Sequence, residues 1–282
     1  MMPYEEVLPS TTPKYEFKGI QHSLQILGEK VDEEKTELFN PYIIFTIDER
    51  AFLDCFVNSD EKTLKSSWEI YDHPANHLVI KMESEVHAIA HGAFSKVFNA
   101  WIGDERTEYP LLPTSTAARR GEIGRVKRPD LAWTPSDLPI GRETTWPSFA
   151  IEVAWLEPRR KVEQDIEFWL CQSKGDVKAA MSITVHCRGG KISFEKWDIN
   201  RSQSAKQVSV FPSQRMDVVR DPASDCPKFN GRIEIPYEDI YLRQKGAGDT
   251  NFILKEEDVA LMARKIWISQ YGLQGRHASS SR

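Results

Sequence analysis

Asp130 and Glu152 are the residues whose type and setting most favour chemistry in this chain. Asp130 follows Pro129 inside an extended run, Lys127 to Trp133, and 21 residues separate it from Glu152. Glu152 lies within the apolar run Ser148 to Trp155. Strand alternation places Phe149, Ile151, Val153 and Trp155 on one face, and Ala150, Glu152 and Ala154 on the other. A lone carboxylate in such a strand is costly unless it is paired or bound to metal. Asp130 and Ala132 share a face of the neighbouring run, so a hairpin would bring Asp130 and Glu152 together. Converging carboxylates repel, and a hard divalent cation relieves that repulsion.

A Pro-Asp at the start of one strand, followed by Glu-x-Lys in the next, is the signature of the PD-(D/E)XK nuclease superfamily, and this chain resembles it. Ile151-Glu152-Val153-Ala154-Trp155 is followed by Glu157, Lys161, Asp165, Trp169-Leu170 and Gly175-x-Val177-Lys178. That series is similar to a fungal restriction-endonuclease-like branch, which reads E-V-G-Y/W-S-E-S before a helix carrying K and D-x-x-W-L. Leu78 to Met82, with His87 after them, is similar to that branch's L-x-I-x-M-P-x-x-x-H-E segment. The likeness covers about residues 75–200.

The resemblance implies an α/β fold with a restriction-endonuclease-like core: helix, three strands, helix, strands, around a mixed central sheet. It implies Mg²⁺ or Mn²⁺ held by Asp130, Glu152 and the Val153 carbonyl. The metal would stabilise phosphoryl charge and activate a water for phosphodiester hydrolysis. The superfamily's lysine would fall at position 154, which is alanine. Lys161 and Lys178 are the candidates to supply that cation. The branch's His-Glu reads His87-Ala88, so Glu85 is the candidate third acidic ligand. Leu156 replaces the branch's usual serine. These departures leave a second reading open, a catalytically degenerate nuclease fold that binds nucleic acid or a protein partner. A third is an interaction module that uses an aromatic-rich surface.

Two basic clusters flank the carboxylates. Arg119, Arg120, Arg125, Lys127 and Arg128 lead into Asp130, and Arg159, Arg160 and Lys161 follow the Glu152 strand. Their placement suits a phosphate backbone, so DNA or RNA is the expected partner. Many nucleases of the superfamily dimerise to cut two strands, which makes a homodimer an expected assembly. His87 and His91 have zincin-like spacing but lack the intervening glutamate that a metalloprotease needs as base. No phosphate-binding P-loop and no G-x-S-x-G elbow occurs, which weakens the cases for a nucleoside triphosphatase and a serine hydrolase.

The positioning elements are legible. Helical periodicity predicts helices over 85–102 and 158–172, and a last one over 255–270. Strands are expected over 77–82, 109–113, 127–133, 148–155, 177–187, 191–199 and 232–236. Arg188-Gly189-Gly190 signals a hairpin. Residues 200–230 are polar and hold several turn residues, so they read as a long loop or an insertion. The organisation is then an N-terminal extension over 1–74 packing on the core, the core over 75–200, a C-terminal extension over 201–271 and a disordered tail over 272–282.

Composition agrees with a globular protein: 282 residues, 40% hydrophobic and 28% charged, with net charge −5. That charge opposes generalised polyanion binding but not a local basic patch. The four cysteines form no C-x-x-C pair, so neither a disulfide scaffold nor a zinc site is expected. No apolar run approaches the roughly 20 residues of a membrane span, and no secretory signal is visible. An intracellular location, cytoplasm or nucleus, with no membrane association, is the resulting expectation.

Overall fold

Two sheets converge on the carboxylates. The computed structural model describes residues 2–33, 40–103, 110–115, 117–200, 209–221 and 226–272. In chain order the first elements are β1 (Lys14–Glu16), α1 (Ile20–Glu33), β2 (Tyr42–Thr46), α2 (Glu49–Phe52), α3 (Lys62–Ser67), β3 (Trp68–Asp72) and β4 (His77–Lys81). Then come α4 (Glu85–Ile102), β5 (Leu111–Pro113), β6 (Arg119–Arg120), β7 (Val126–Lys127), β8 (Leu131–Pro135), β9 (Phe149–Trp155) and α5 (Arg159–Gln172). The last are β10 (Ala179–Val185), β11 (Lys191–Asn200), β12 (Ser209–Arg220), β13 (Pro227–Gly231), β14 (Ile233–Ile235), α6 (Tyr237–Tyr241), β15 (Phe252–Leu254) and α7 (Glu256–Tyr271).

The chain is a mixed α/β protein. One sheet has the order β1-β2-β4-β3-β7-β6, and the larger one β13-β12-β11-β10-β9-β8-β5. A short β14-β15 pair stands apart from both. The expected boundary at 74/75 falls between β3 and β4, which pair antiparallel within the first sheet. That sheet joins residues before the boundary to β6 and β7, well after it.

The larger sheet is mixed. β8 and β9 pair antiparallel with Leu131 opposite Ile151. β9 and β10 run parallel, with Glu152 opposite Ser182, and α5 makes the crossover between them. β10 and β11 form the hairpin expected from Arg188-Gly189-Gly190, whose two glycines adopt positive φ. The described residues within 200–230 are not the loop expected. Ser209–Arg220 and Pro227–Gly231 extend the sheet edge. Only Met216 and Val218 of β12 are fully buried, so a strand this polar carried little period-2 signal. The 272–282 tail lies, from 273 on, outside the described residues.

Helices cover both faces of β9, so its whole length is apolar apart from Glu152. α4 is capped by Ser84, whose hydroxyl accepts from the His87 amide. It lays Val86, Ala90, Phe94 and Phe98 on the face of Phe149, Ile151 and Val153. α5 lays Val162, Ile166 and Trp169 on the other face, against Ala150 and Ala154. The expected division of β9 into two faces therefore holds. In the first sheet, Tyr42, Ile70 and Val79 share a buried layer with Tyr4. Alternation puts Lys81 on the same side of β4 as Val79. No described helix is long and apolar enough to cross a membrane.

Candidate functional site

The hairpin of β8 and β9 does bring Asp130 beside Glu152 in sequence register, but the two carboxylates serve different partners. Asp130 Oδ2 accepts from the Val153 amide at 2.6 Å. Its Oδ1 lies 3.3 Å from His87 Nε2 on α4. Glu152 turns toward α5, where Oε1 accepts from Trp169 Nε1 at 2.5 Å and Oε2 from Lys127 Nζ at 3.3 Å. Among the described residues, no side chain bonds to both carboxylates.

Three lysines occupy the ground between them. Lys81 Nζ, from the end of β4, lies 3.6 Å from Asp130 Oδ2, 2.7 Å from Glu157 Oε1 and 3.1 Å from the Val153 carbonyl. It is also 3.1 Å from His87 Nε2. That nitrogen either accepts from the ammonium or donates to Asp130, and cannot do both. Lys127 Nζ, from β7, contacts Glu69 at 2.9 Å, Asp165 at 3.2 Å and Glu152. Lys161 Nζ, from α5, bridges Glu69, Asp165 and, at 3.6 Å, Glu157. Tyr4 closes the far side, its hydroxyl donating to Asp165 Oδ1 at 3.0 Å. Glu157 is aimed inward by Leu156, which turns the chain out of β9 with φ +64. That left-handed conformation costs a β-carbon-bearing residue about 1–2 kcal/mol.

The charges are set by burial and by these contacts. Burial alone would push the Asp130 carboxyl up, but Lys81, His87 and the Val153 amide hold it well below the usual carboxylate range. Glu69 behaves likewise, its burial outweighed by Lys127 and Lys161. Glu152 goes the other way: burial raises it well above the usual range, and Lys127 offsets only part. Burial also raises Asp165. Lys81 stays firmly charged, because Asp130 and Glu157 more than offset its own burial.

The arrangement does not fit a divalent metal in its present form. Ligand oxygens of Glu69, Glu152 and Asp165 all lie within 4.8 Å of one another. Lys127 touches all three carboxylates, and Lys161 touches two of them. The position bounded by Asp130 and the Val153 carbonyl is held by Lys81. Either position would admit a metal only by expelling an ammonium.

A cleft of about 610 Å³ opens onto this group. Asp130, Lys81 and Glu69 line it together with Lys62, Lys65, His91 and Arg128. Arg128 lies 3.8 Å over the Trp68 ring and is tied to the Lys65 carbonyl. Burial lowers its guanidinium to about 10. Lys62 and Lys65 are exposed, with no ion-pair partner among the described residues.

The expected residues are therefore distributed unevenly. Asp130, Glu152 and Lys161 join one ionic network. Lys178 is exposed at the approach to β10, and its field reaches Asp239. Glu85 is exposed at the start of α4 and takes no part in the network. Of the basic residues expected at a nucleic-acid surface, Arg128 lines the cleft. Lys127 is fully buried inside the network, and Arg125 is buried on Asp72 at 2.8 Å. Both are committed to carboxylates and inaccessible to phosphate. Arg119 is buried, Arg120 pairs with Glu49, and Arg159 pairs with Glu163 and Glu195. Arg160 is exposed. Sequence reasoning missed Glu69 entirely, although Trp-Glu-Ile-Tyr carries the same signal that singled out Glu152, one acid in an apolar strand. Lys81, Glu157 and Asp165 sat in quoted motifs without a role.

Compared with models of known protein families and with curated proteins, the chain matches none.

Proposed function

We propose that this chain is a nuclease-like protein that binds the phosphate backbone of nucleic acid in the cleft over Asp130, without a resident divalent metal. The observation that carries the reading is the pairing of two features in one cleft. Its rim holds Lys62 and Lys65, which have no ion-pair partner among the described residues, together with Arg128. Its floor carries Asp130, with the Lys81 ammonium 3.6 Å away where a metal would sit. Rim cations of this kind bind phosphate without reading sequence. The antiparallel β8–β9 pair, the α5 crossover and the parallel β10 agree with a restriction-endonuclease-like core. This is the degenerate, binding form of the resemblance noted above.

The test is fluorescence anisotropy with labelled single- and double-stranded DNA and RNA in EDTA, across a salt series. Affinity should fall linearly with log salt. K62E and K65E should each weaken binding about tenfold and reduce the salt slope. No binding to any of the four nucleic acids, or binding indifferent to salt, would refute the proposal.

A second reading, metal-dependent phosphodiester hydrolysis, is favoured by one observation: five carboxylates (Glu69, Asp130, Glu152, Glu157, Asp165) share only three lysines. Incubation with Mg²⁺ or Mn²⁺ decides between the two. Cleavage that is lost in D130A and E152A while both variants stay folded would establish hydrolysis.

A further inference from the structure

We infer that the Lys81 ammonium is a built-in cation, seated in the oxygen set of Asp130, Glu157 and the Val153 carbonyl in place of a divalent ion. Two carboxylates and a main-chain carbonyl are the donor types that hard divalent cations take. Here they converge from three elements: the start of β8, the turn into α5, and the backbone of β9. All three oxygens lie within 3.6 Å of one nitrogen. Lys81 reaches them from β4, where its backbone is held in register opposite Tyr42. Its side chain is only 7% exposed, yet it lines the cleft. One ammonium brings a single positive charge to two carboxylates. His87 Nε2 lies beside the same set, 3.3 Å from Asp130 and 3.1 Å from the ammonium. A tethered ammonium differs from a metal ion in one respect that matters for function: it cannot dissociate. That oxygen set is then occupied without metal, and phosphate entering the cleft meets a cation that chelators cannot remove. That last consequence rests on the proposed binding function, whereas the occupancy of the oxygen set does not.

The experiment has two parts. Mn²⁺ is first titrated calorimetrically into the wild type, K81M and K81M/E157Q, with no nucleic acid present. The wild type should bind no Mn²⁺ at this set. K81M should gain one site, and K81M/E157Q should bind about tenfold more weakly or not at all, a loss of roughly 1.4 kcal/mol or more. The thermal midpoint of K81M should rise with Mn²⁺ and that of the wild type should not. Oligonucleotide affinity is then measured in EDTA and in Mn²⁺. The wild type should hold constant, while K81M should lose about tenfold in EDTA and recover with Mn²⁺. A wild-type Mn²⁺ isotherm abolished by D130N would overturn the inference, as would a folded K81M that binds no Mn²⁺. Should K81M fail to fold, the wild-type titration decides alone: absence of that isotherm upholds the inference and its presence overturns it. Gain of Mn²⁺ by K81M, with no oligonucleotide binding by the wild type, would remove the proposed function and leave the inference standing.

Discussion

Lys127→Met tests whether the buried network is a structural keystone. Lys127 is fully buried and touches Glu69, Glu152 and Asp165 at 2.9, 3.3 and 3.2 Å. At an effective dielectric of about 20, each contact is worth roughly 5 kcal/mol gross. Most of that is returned when the ammonium and carboxylates are rehydrated on unfolding. What remains after removing one partner of a buried ionic group is a loss of about 3–5 kcal/mol, because the other charges stay buried and uncompensated. Lys161 still reaches Glu69 and Asp165, but Glu152 is left with no ammonium in contact. For a chain of this size, the loss corresponds to a fall of roughly 10 °C in thermal midpoint. Differential scanning calorimetry and urea titration would measure it. The double variant K127M/E152Q removes the Glu152 acid, which burial already pushes toward its neutral form, and should recover part of the loss, a coupling of about 1–2 kcal/mol. A single variant within about 1 kcal/mol of the wild type would refute the argument. So would a double variant no more stable than K127M.

Acid titration should show two limbs. Asp130 and Glu69 are held below their unfolded values, so their contribution is complete above about pH 4 and is lost as pH falls through their lower folded values. Glu152 and Asp165 are raised, so the native state retains protons the unfolded chain has released, and stability declines as pH climbs above about 4 toward those raised values. Urea midpoints of E152Q across pH should show the second limb flattened. An unchanged pH profile would contradict the assigned direction for Glu152. Ala154→Lys, which restores the superfamily's motif residue, should destabilise by about 1–3 kcal/mol through overpacking, because Ala154 is 1% exposed beneath α5. A stable A154K with metal-dependent cleavage would show that this face has room for a catalytic lysine. Leu156→Gly should cost less than about 1 kcal/mol despite the lost side chain, since it relieves the left-handed strain. A larger loss in a urea melt would mean the side chain matters more than the backbone turn.

Whatever depends on neighbours along the chain is legible in the residues alone. The helices that flank β9 emerge from periodicity and caps, which act within a turn or two: the expected 85–102 coincides with Glu85–Ile102, and 158–172 with Arg159–Gln172 to within one residue. The two faces of β9 follow from alternation alone. Glu152 declared itself because a carboxylate inside an apolar strand must find a partner somewhere. The identity of that partner was not local. Lys127 read as one more residue of a basic loop, and only its place in β7, beside Glu69 of β3 and facing α5, buries it. The same holds for Lys81, whose ammonium meets oxygens that follow it by about 50 to 75 residues. Spacing along the chain carries no record of such encounters, since they depend on how two sheets pack. Tertiary structure alone decided that ammonium groups hold the ground between these carboxylates, because in an interior of low dielectric each buried charge must be matched by whatever opposite charge the fold brings within reach.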